Sequence, residues 1–377
     1  MDTRLPPEPH SLPPHSLPSR APLSRELVAR APKVLLHEHL DGGLRPRTVL
    51  ELAQECGYTE LPTQDEAALA DWFAAGAARG SLPLYLEGFR HTIALLQTAK
   101  ALERVAYEFV EDMARDGVVY AEVRFAPHFH TQQGLGLDGV MAAVCRGLER
   151  GRKDFGIQVG LIVCAMRNLS SMLSYQMAEL AVAWRTRGCV GFDLAGEEAG
   201  HPAKHHEDAF QFAKRANFHI TIHAGESFGP ESIWQALQYC GAHRIGHGTR
   251  LIEDMVVHQG EVVSLGALAQ YVLDQRIPIE VCLSSNVHTG AAQSLAAHPF
   301  PHYFKHGFRV TLNTDNRLMS RTTMTDEYML AVQHYGFTLK DLEKVTINGM
   351  KSAFAHYDER VRIIFDTIKP RYAALTK

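Results

Sequence analysis

Residues 34–42 read Val-Leu-Leu-His-Glu-His-Leu-Asp-Gly, an apolar run that ends in two histidines separated by one residue. Residues two apart along a β-strand point to the same side, so His37 and His39 can reach one ion. An isolated pair of this kind is more often structural or on the surface, and the chain contains 21 histidines. Whether His37 and His39 bind a metal therefore depends on which other residues of the chain lie beside them.

Apolar runs of similar length recur along the chain, separated by segments with helical periodicity. After the first gap their starts lie about 25–40 residues apart, which is the length that a strand, a helix and two loops require. With the first run they make eight candidate strands: Val34–Leu40, Val118–Ala126, Gln158–Met166, Cys189–Leu194, His219–His223, Arg244–His247, Pro278–Leu283 and Arg309–Asn313. Eight strands in such units predict an α/β fold, the (β/α)8 TIM barrel.

The gap between the first two candidate strands, from Leu40 to Val118, is longer than one helix requires. Within it, Tyr85, Leu86 and Phe89 form an apolar stripe on a predicted short helix. Such a stripe usually faces the core. In a barrel, however, an insertion after the first strand would lie above the mouth, so we expect a helical lid here.

Polar residues stand at the carboxyl ends of five of the eight candidate strands. Active sites of TIM barrels are built at this end, because the loops that follow the strands converge there. The residues are His37, His39 and Asp41 after the first strand, then Asp193 and Gly196, His223 and Glu226, His247, and finally Asp315 and Asn316.

Three histidines and one aspartate from these strand ends can form a metal site. His223 and Asp315, together with His37 and His39, offer three imidazoles and one carboxylate. This donor set suits zinc best, although iron, cobalt or manganese could use the same ligands. A metal-bound water has a lowered pKa and becomes a nucleophile, so the site is typical of a hydrolase.

Three other residues at the strand ends each have two readings, and a fourth, Gly196, has one. Glu226, in a turn after the third histidine, could return over the site as a proton donor or be an ordinary solvated glutamate. His247 could take the proton of the water or stabilise the charge of the hydroxide. Asp193 could orient a metal ligand or satisfy backbone groups, and Gly196 would let a substrate ring approach bare backbone.

Five motifs, HEHLDG, GFDLAGEE, HAGE, GHG and NTDN, follow one another in this order. In this they resemble the adenosine deaminase family of metal-dependent barrel hydrolases, over a range from about Pro32 to the C-terminal helices. The string NTDNRLMS at 313–320 is similar to the bacterial, actinobacterial-type branch. The resemblance implies hydrolysis of adenosine, and of 2′-deoxyadenosine, to the inosine form and ammonia in purine salvage. A hydroxide activated by one Zn2+ per chain would attack purine C6.

The resemblance also implies roles for individual residues. Glu226 would donate a proton to purine N1, and His247 would lie beside the attacking hydroxide. The zinc ligands would be His37, His39, His223 and Asp315. The substrate would meet Asp41 at the ribose 5′-hydroxyl, Gly196 at N3, Asn316 at N7, and the gate helix at Tyr85, Leu86 and Phe89.

One position departs from the family pattern. The commonest family motif ends in two aspartates, whereas Asp315 is followed here by Asn316. Purine N7 is an acceptor, so a carboxylate facing it must be protonated, whereas an asparagine amide donates at any pH. The substitution leaves open which purine nucleoside is preferred. Asp41 would repel a 5′-phosphate, which favours nucleosides over AMP.

Length and charge limit the other possibilities. The 377 residues include 38 basic and 42 acidic ones, which offers no attraction to nucleic acid or to a membrane surface. Six scattered cysteines suit a reducing, cytoplasmic location. We expect residues 1–31 to be a Pro-rich, disordered leader and residues 32–377 to be a single deaminase domain, with no membrane span.

Three alternative functions fit the sequence less well. The other zinc deaminase class needs H-x-E and P-C-x-x-C, and only His205-His206-Glu207 is present. Free adenine is the alternative substrate, although adenine deaminases usually resemble HIEG where this chain has His39-Leu40-Asp41-Gly42. A barrel that binds purines without turnover is expected to lack a ligand, the proton donor or His247, and none is missing.

Overall fold

The computed structural model describes residues 23–376, and eight of its strands lie side by side in one parallel sheet. Their order is β1-β2-β3-β4-β5-β6-β9-β10. Strands of this kind are buried on both faces, as in β2, where all eight positions are buried, including the charged Glu122 and Arg124. The predicted TIM barrel is confirmed. The strands are β1 Lys33–Leu35, β2 Val118–Phe125, β3 Gln158–Met166, β4 Cys189–Ala195, β5 His219–Ala224, β6 Arg244–His247, β9 Ile279–Val281 and β10 Val310–Leu312.

The barrel closes between β10 and β1 without a regular ladder. Leu36 N donates to the side-chain Oδ1 of Asn313 at 2.9 Å. Beyond it, Asp315 N donates to His37 O at 2.9 Å, and His39 N donates to Asp315 O at 2.7 Å. The first strand is therefore shorter than the predicted Val34–Leu40, because single bridges replace a ladder after residue 35. These bridges place the two histidines directly beside Asp315.

Helices surround the sheet and pack on the outward faces of the strands. Longer helices carry the expected end signals, such as the capping box in which Thr338 and Asp341 bond reciprocally. The helices of the first half are α1 Arg25–Arg30, α2 Pro46–Cys56, α3 Glu66–Ala77, α4 Leu82–Leu86, α5 Phe89–Leu95, α6 Ala99–Arg115, α7 Leu137–Phe155 and α8 Ser171–Ala183. Those of the second half are α9 Glu207–Arg215, α10 Pro230–Gln238, α11 Ala267–Asp274, α12 Leu283–His288, α13 Phe300–Lys305, α14 Arg317–Ser320, α15 Met324–Tyr335, α16 Leu339–Ser352, α17 Tyr357–Arg362 and α18 Lys369–Leu375.

Shorter helical turns connect these elements. The 3-10 turns are Leu40–Gly42, Pro127–His130, Arg185–Arg187, Ala203–His206 and Thr249–Asp254, and a π-helical turn spans Ile363–Ile368. The turn at Leu40–Gly42 directly follows the HxH pair and carries Asp41 towards the barrel mouth.

The predicted short helix of the first gap is two helices. Tyr85 and Leu86 lie at the end of α4, and Phe89 begins α5 after a break at residues 87 and 88. The insertion as a whole contains α2 to α6. Its helical character is as expected, whereas its role as a lid stays a prediction.

Two parts of the chain differ from or fall outside the expectations. Residues 1–22 of the predicted leader lie outside the described residues. For the rest of that leader the prediction of disorder is wrong, because Ser24 caps α1 and Val28 is fully buried in the core.

A two-stranded hairpin, β7 Met255–His258 and β8 Glu261–Leu265, was not predicted, because Val256 and Val263 are exposed and the strands bury little apolar surface. None of the helices between residues 23 and 376 combines the length and the apolarity that a bilayer span requires.

Candidate active site

The four residues predicted as metal ligands lie together at the carboxyl end of the barrel. His39 Nε2 lies 3.1 Å from His223 Nε2. Asp315 Oδ1 lies 3.1 Å from His37 Nε2 and 3.5 Å from His39 Nε2. One donor atom from each residue lies within 4.8 Å of the other three, and only His39 is partly exposed. Residues far apart in the chain thus converge on one point.

The spacing of these atoms fits a metal ion. Bonds of about 2.0–2.1 Å at tetrahedral angles place donor atoms roughly 3.3 Å apart, close to the distances above. His37 Nε2 is buried, and among residues 23–376 it has no hydrogen-bond partner. A buried imidazole nitrogen without a partner is costly unless a cation or water meets its lone pair. The four side chains can therefore hold one metal ion.

Two buried carboxylates orient two of the histidines. His37 Nδ1 lies 2.8 Å from Glu280 Oε2, and His223 Nδ1 lies 3.1 Å from Asp193 Oδ2. A carboxylate only accepts, so each Nδ1 carries the proton and each Nε2 presents a lone pair to the metal site. Both readings of Asp193 are observed, because its carboxylate contacts His223 and its Oδ1 also accepts from Leu194 N at 2.8 Å. Arg124 bridges the carboxylates, at 3.1 Å from Asp193 and 2.8 Å from Glu280.

The ion pairs continue into the barrel interior. Arg244 donates to Glu280 at 2.5 Å and to Glu122 at 2.6 Å, and all three side chains are buried. Burial opposes the charge on Glu280, but the Arg124 and Arg244 guanidiniums hold the pKa of its carboxyl well below the usual range. Paired on both sides, Glu280 stays an anion that can accept from His37.

Asp315 is held in a strained backbone conformation. Its φ of 62° lies in the left-handed region, which costs a non-glycine residue roughly 1–2 kcal/mol. The backbone bonds to His37 and His39 hold it there, and Ser285 Oγ donates to Oδ2 at 2.6 Å. Burial opposes the charge, but His37 and the other nearby histidines hold the pKa of Asp315 well below its usual range. One carboxylate oxygen is thus tied to serine, while the other faces the histidines.

The turn after β5 presents Glu226 to the same site. A single buried carboxylate, Glu198, accepts from four consecutive backbone amides of this turn, at 2.6 Å from Gly225, 3.0 Å from Glu226, 2.7 Å from Ser227 and 2.9 Å from Phe228. Glu226 is buried, and its Oε1 has no hydrogen-bond partner in the described part of the chain. Burial, reinforced by nearby carboxylates, raises the pKa of Glu226 well above its usual range. Its surroundings therefore favour the protonated acid.

His247 lies against the histidine cluster from β6. Its Nε2 lies 3.7 Å from Glu226 Oε2, and its Nδ1 lies 3.0 Å from Asn286 Nδ2. Like Asp315 it has a positive φ, 64°. The preceding Gly246 leaves room for the cluster, because a Cβ there would lie 3.1 Å from Cε1 of His37. The positions of His37 and His247 both depend on this close approach of the backbone at Gly246.

A cavity of about 350 Å3 opens onto the metal site. His37 lies below it and does not line it, whereas His39, His223 and Asp315 do. Glu226 and His247 also line it. All six residues predicted to contact a substrate belong to its wall, namely Asp41, Tyr85, Leu86, Phe89, Gly196 and Asn316.

The polar wall residues have defined surroundings. Asp41 Oδ2 lies 3.6 Å from His130 Nε2, and Tyr85 Oη lies 2.9 Å from Ser320 Oγ. Gly196 lines the cavity with a φ of 97°, a conformation that favours glycine. Asn316 Oδ1 is buried and lacks a hydrogen-bond partner among residues 23–376.

Several residues that shape the site were not predicted. Glu280 left a usable signal, a lone carboxylate inside an otherwise apolar strand. Glu198 also left one, as the second glutamate of GFDLAGEE. Arg124, Ser285 and Asn286 left none, because their partners are distant in the chain. Ser285 and Asn286 lie in α12, directly after the predicted strand Pro278–Leu283, and this strand is not one of the five whose ends carry predicted site residues.

Comparison with known proteins identifies the family. The adenosine deaminase family model matches residues 32–370. The adenosine deaminase of Mycobacteroides abscessus is 54% identical over 353 residues, which cover 92% of this chain and 97% of that protein. This match confirms the predicted similarity to the actinobacterial branch of the family.

Solved structures agree with the fold and the family. The adenine deaminase from Arthrobacter aurescens superposes with a TM-score of 0.81 at 26% identity, covering 92% of this chain and 99% of that one. The Arabidopsis N6-mAMP deaminase superposes with a TM-score of 0.78 at 29% identity, covering 91% and 99%. The barrel, the ordered strand-end motifs and these matches lead to one assignment: the chain belongs to the adenosine deaminase family.

Proposed function

We propose that this protein hydrolyses adenosine to inosine and ammonia, and that it hydrolyses 2′-deoxyadenosine to 2′-deoxyinosine and ammonia. The observation that carries the proposal is the convergence of the His37, His39, His223 and Asp315 donor atoms beside the buried acid Glu226, at the floor of one cavity. A volume of about 350 Å3 lies within the range of small-molecule sites. The similarity to adenosine deaminases over most of the chain supports the same activity.

We infer that the metal is one Zn2+ per chain. Three imidazole nitrogens and a carboxylate oxygen suit this borderline ion, and two of the imidazoles are already oriented by carboxylates. When bound, zinc lowers the pKa of a water so that hydroxide is available near neutral pH. Asp315 has Oδ2 tied to Ser285. Its other oxygen can meet the metal or accept a proton from the water.

Glu226 is the proposed proton donor to purine N1. Addition of hydroxide at C6 places electron density on N1, and a proton delivered there stabilises the tetrahedral intermediate. The amino group then takes up a proton, the C6 hydroxyl gives one up, and ammonia leaves, which produces the C6 carbonyl of inosine. The low-dielectric surroundings of Glu226 support its part as an acid, and the Glu198 clamp holds it over the cavity floor.

The rest of the wall provides for the nucleoside. The Gly196 amide would meet purine N3, and the Asn316 amide would donate to N7 at any pH. Asp41 would accept from the ribose 5′-hydroxyl, with His130 behind it at 3.6 Å. Tyr85, Leu86 and Phe89 would cover the ring as the lid between entry and release.

An absorbance assay for inosine formation tests the proposal. We expect turnover with adenosine and 2′-deoxyadenosine, and far less with adenine or AMP, because adenine lacks the hydroxyl for Asp41 and a 5′-phosphate would face a carboxylate. A chelator should abolish turnover and added Zn2+ should restore it. Preferred turnover of adenine would favour the free-base alternative, and a purified protein that holds metal but deaminates none of the four would refute the activity.

We also propose a cytoplasmic location. The structure leaves all six cysteines unpaired, four of them buried. Free thiols in this number suit a reducing compartment.

A further inference from the structure

Three hydrogen bonds connect a backbone amide outside the cavity to His247 inside it. Phe300 N donates to His298 Nδ1 at 3.0 Å. His298 Nε2 lies 3.1 Å from Asn286 Oδ1, and Asn286 Nδ2 lies 3.0 Å from His247 Nδ1. The three side chains are buried, at 0–1% exposure. Solvent therefore does not compete for any of these bonds.

The backbone amide fixes the direction of every proton in this chain. An N–H group can only donate, so His298 Nδ1 accepts, and a neutral His298 carries its hydrogen on Nε2. The atom of Asn286 that faces it must then be the amide oxygen. The amide nitrogen consequently faces His247 and donates, so Nδ1 of His247 is an acceptor. In a neutral imidazole the remaining hydrogen then lies on Nε2, the nitrogen that faces Glu226 and the cavity.

The alternative arrangement fails at the anchor. A hydrogen on Nδ1 of His298, whether by tautomer or by protonation, would face the Phe300 N–H across 3.0 Å. Burial also lowers the pKa of His298 to about 3, so the ring is neutral at physiological pH. The orientation of the Asn286 amide follows from His298 alone, because the Nε2–H of that ring needs an acceptor and only the amide oxygen can accept.

We propose that Asn286 and His298 are positioning residues that lock His247 as the Nε2–H tautomer. His247 then offers a hydrogen-bond donor to the cavity, and it has no free lone pair with which to take a proton. Given the proposed function, on which this step rests, His247 stabilises negative charge on the oxygen that attacks C6. The proton of the water must then go to another group, and the nearest carboxylate in the metal cluster is Asp315.

Asn286→Asp reverses the lock with almost no change in shape. A carboxylate accepts from both neighbours, so His298 keeps its bond, while His247 must now donate from Nδ1. Removing one donor to a developing oxyanion costs roughly a hundredfold in turnover. We expect a kcat loss of about that size with little change in KM and with one metal per chain retained. Asn348→Asp is the matched control, because Asn348 is also buried but bonds to Val310 O away from the cavity.

The lock itself is read by NMR of protein labelled with 15N-histidine, with His247→Gln used to assign the signal. We expect protonated Nε2 and bare Nδ1 in the parent, with and without zinc, and the reverse in Asn286→Asp. His298→Gln, which still donates to Asn286, should keep more of the kcat than His298→Leu. A parent protein with Nδ1–H, or unchanged kcat in a reversed variant, overturns the proposal. The NMR measurement on the parent alone decides the tautomer, even if adenosine is not the substrate or Asn286→Asp does not fold.

Discussion

At the scale of single residues, Glu226 has the most direct consequence for chemistry. It is buried beside the proposed metal ligands, its backbone amide donates to Glu198, and it is not itself one of the proposed donors. Glu226→Gln should therefore lose nearly all turnover, by roughly 10²–10⁴-fold, while keeping the metal. Steady-state kinetics and metal analysis check both parts. Glu231→Gln, on the neighbouring helix α10, is the control, and a Glu226→Gln enzyme with parental kcat would contradict the assigned role.

Residue types explain how much of the site the sequence could predict. Metal ligands come from a few side chains at strand ends, so His37, His39, His223 and Asp315 could be proposed from their spacing and order. The residues that orient them could not, since Arg124, Ser285 and Asn286 act through contacts that only the folded chain creates. Glu280 is intermediate, because a lone carboxylate in a buried strand implies some partner without naming it.

At the scale of elements, the turn after β5 depends on Glu198, at the end of the neighbouring β4 segment. Four backbone amides point at this one carboxylate, and without it they would lose their acceptor in a buried place. We expect Glu198→Ala to lower the free energy of unfolding by about 2–4 kcal/mol and kcat by at least roughly tenfold, because Glu226 moves with the turn.

Denaturant unfolding and kinetics measure the two effects, and the adjacent Glu197→Ala is the matched control. The loss in kcat should persist under conditions where both proteins are fully folded. If Glu198→Ala were less stable but fully active, the clamp would serve the fold and not the position of Glu226.

Element boundaries show what periodicity can and cannot supply. The runs at Gln158–Met166 and Arg244–His247 were predicted to the residue. The first is an almost unbroken apolar run, as is typical of a buried parallel strand. The break between α4 and α5 was missed, since an apolar stripe continues across residues 87 and 88. The β7–β8 hairpin has exposed valines and thus no buried face to reveal it.

At the scale of the whole molecule, the barrel combines an apolar wall with a charged interior. Arg124 and Arg244 lie among Glu122, Asp193 and Glu280, all buried. Each charge is paired with at least one opposite charge, which such burial requires. The composition, with nearly balanced acids and bases, is compatible with this arrangement but could not predict it, since the partners come from different strands.

Glu327, a buried acid outside the active site, has no cation beside it in the part of the chain that the structure describes, and it should make stability depend on pH. Glu327 is fully buried in α15, where Thr322 Oγ1 donates to it at 2.8 Å and Ser284 N at 3.3 Å. Burial, opposed in part by these hydrogen bonds, raises its pKa from 4.5 to about 7. A raised pKa means that the folded protein holds a proton which the unfolded chain releases. The stabilisation is complete below pH 4.5 and is lost as the pH rises through about 7.

Glu327→Gln removes this dependence, because an amide does not ionise. Relative to the parent, the variant should gain about 2 kcal/mol in free energy of unfolding between about pH 5.5 and about pH 8, since one pKa unit corresponds to about 1.4 kcal/mol. Urea unfolding of both proteins at the two pH values, each saturated with zinc, measures the gain. Glu179→Gln, at an exposed position of α8, should show none. An identical difference at both pH values would mean that Glu327 is ionised in the folded protein throughout, and that its hydrogen bonds outweigh burial.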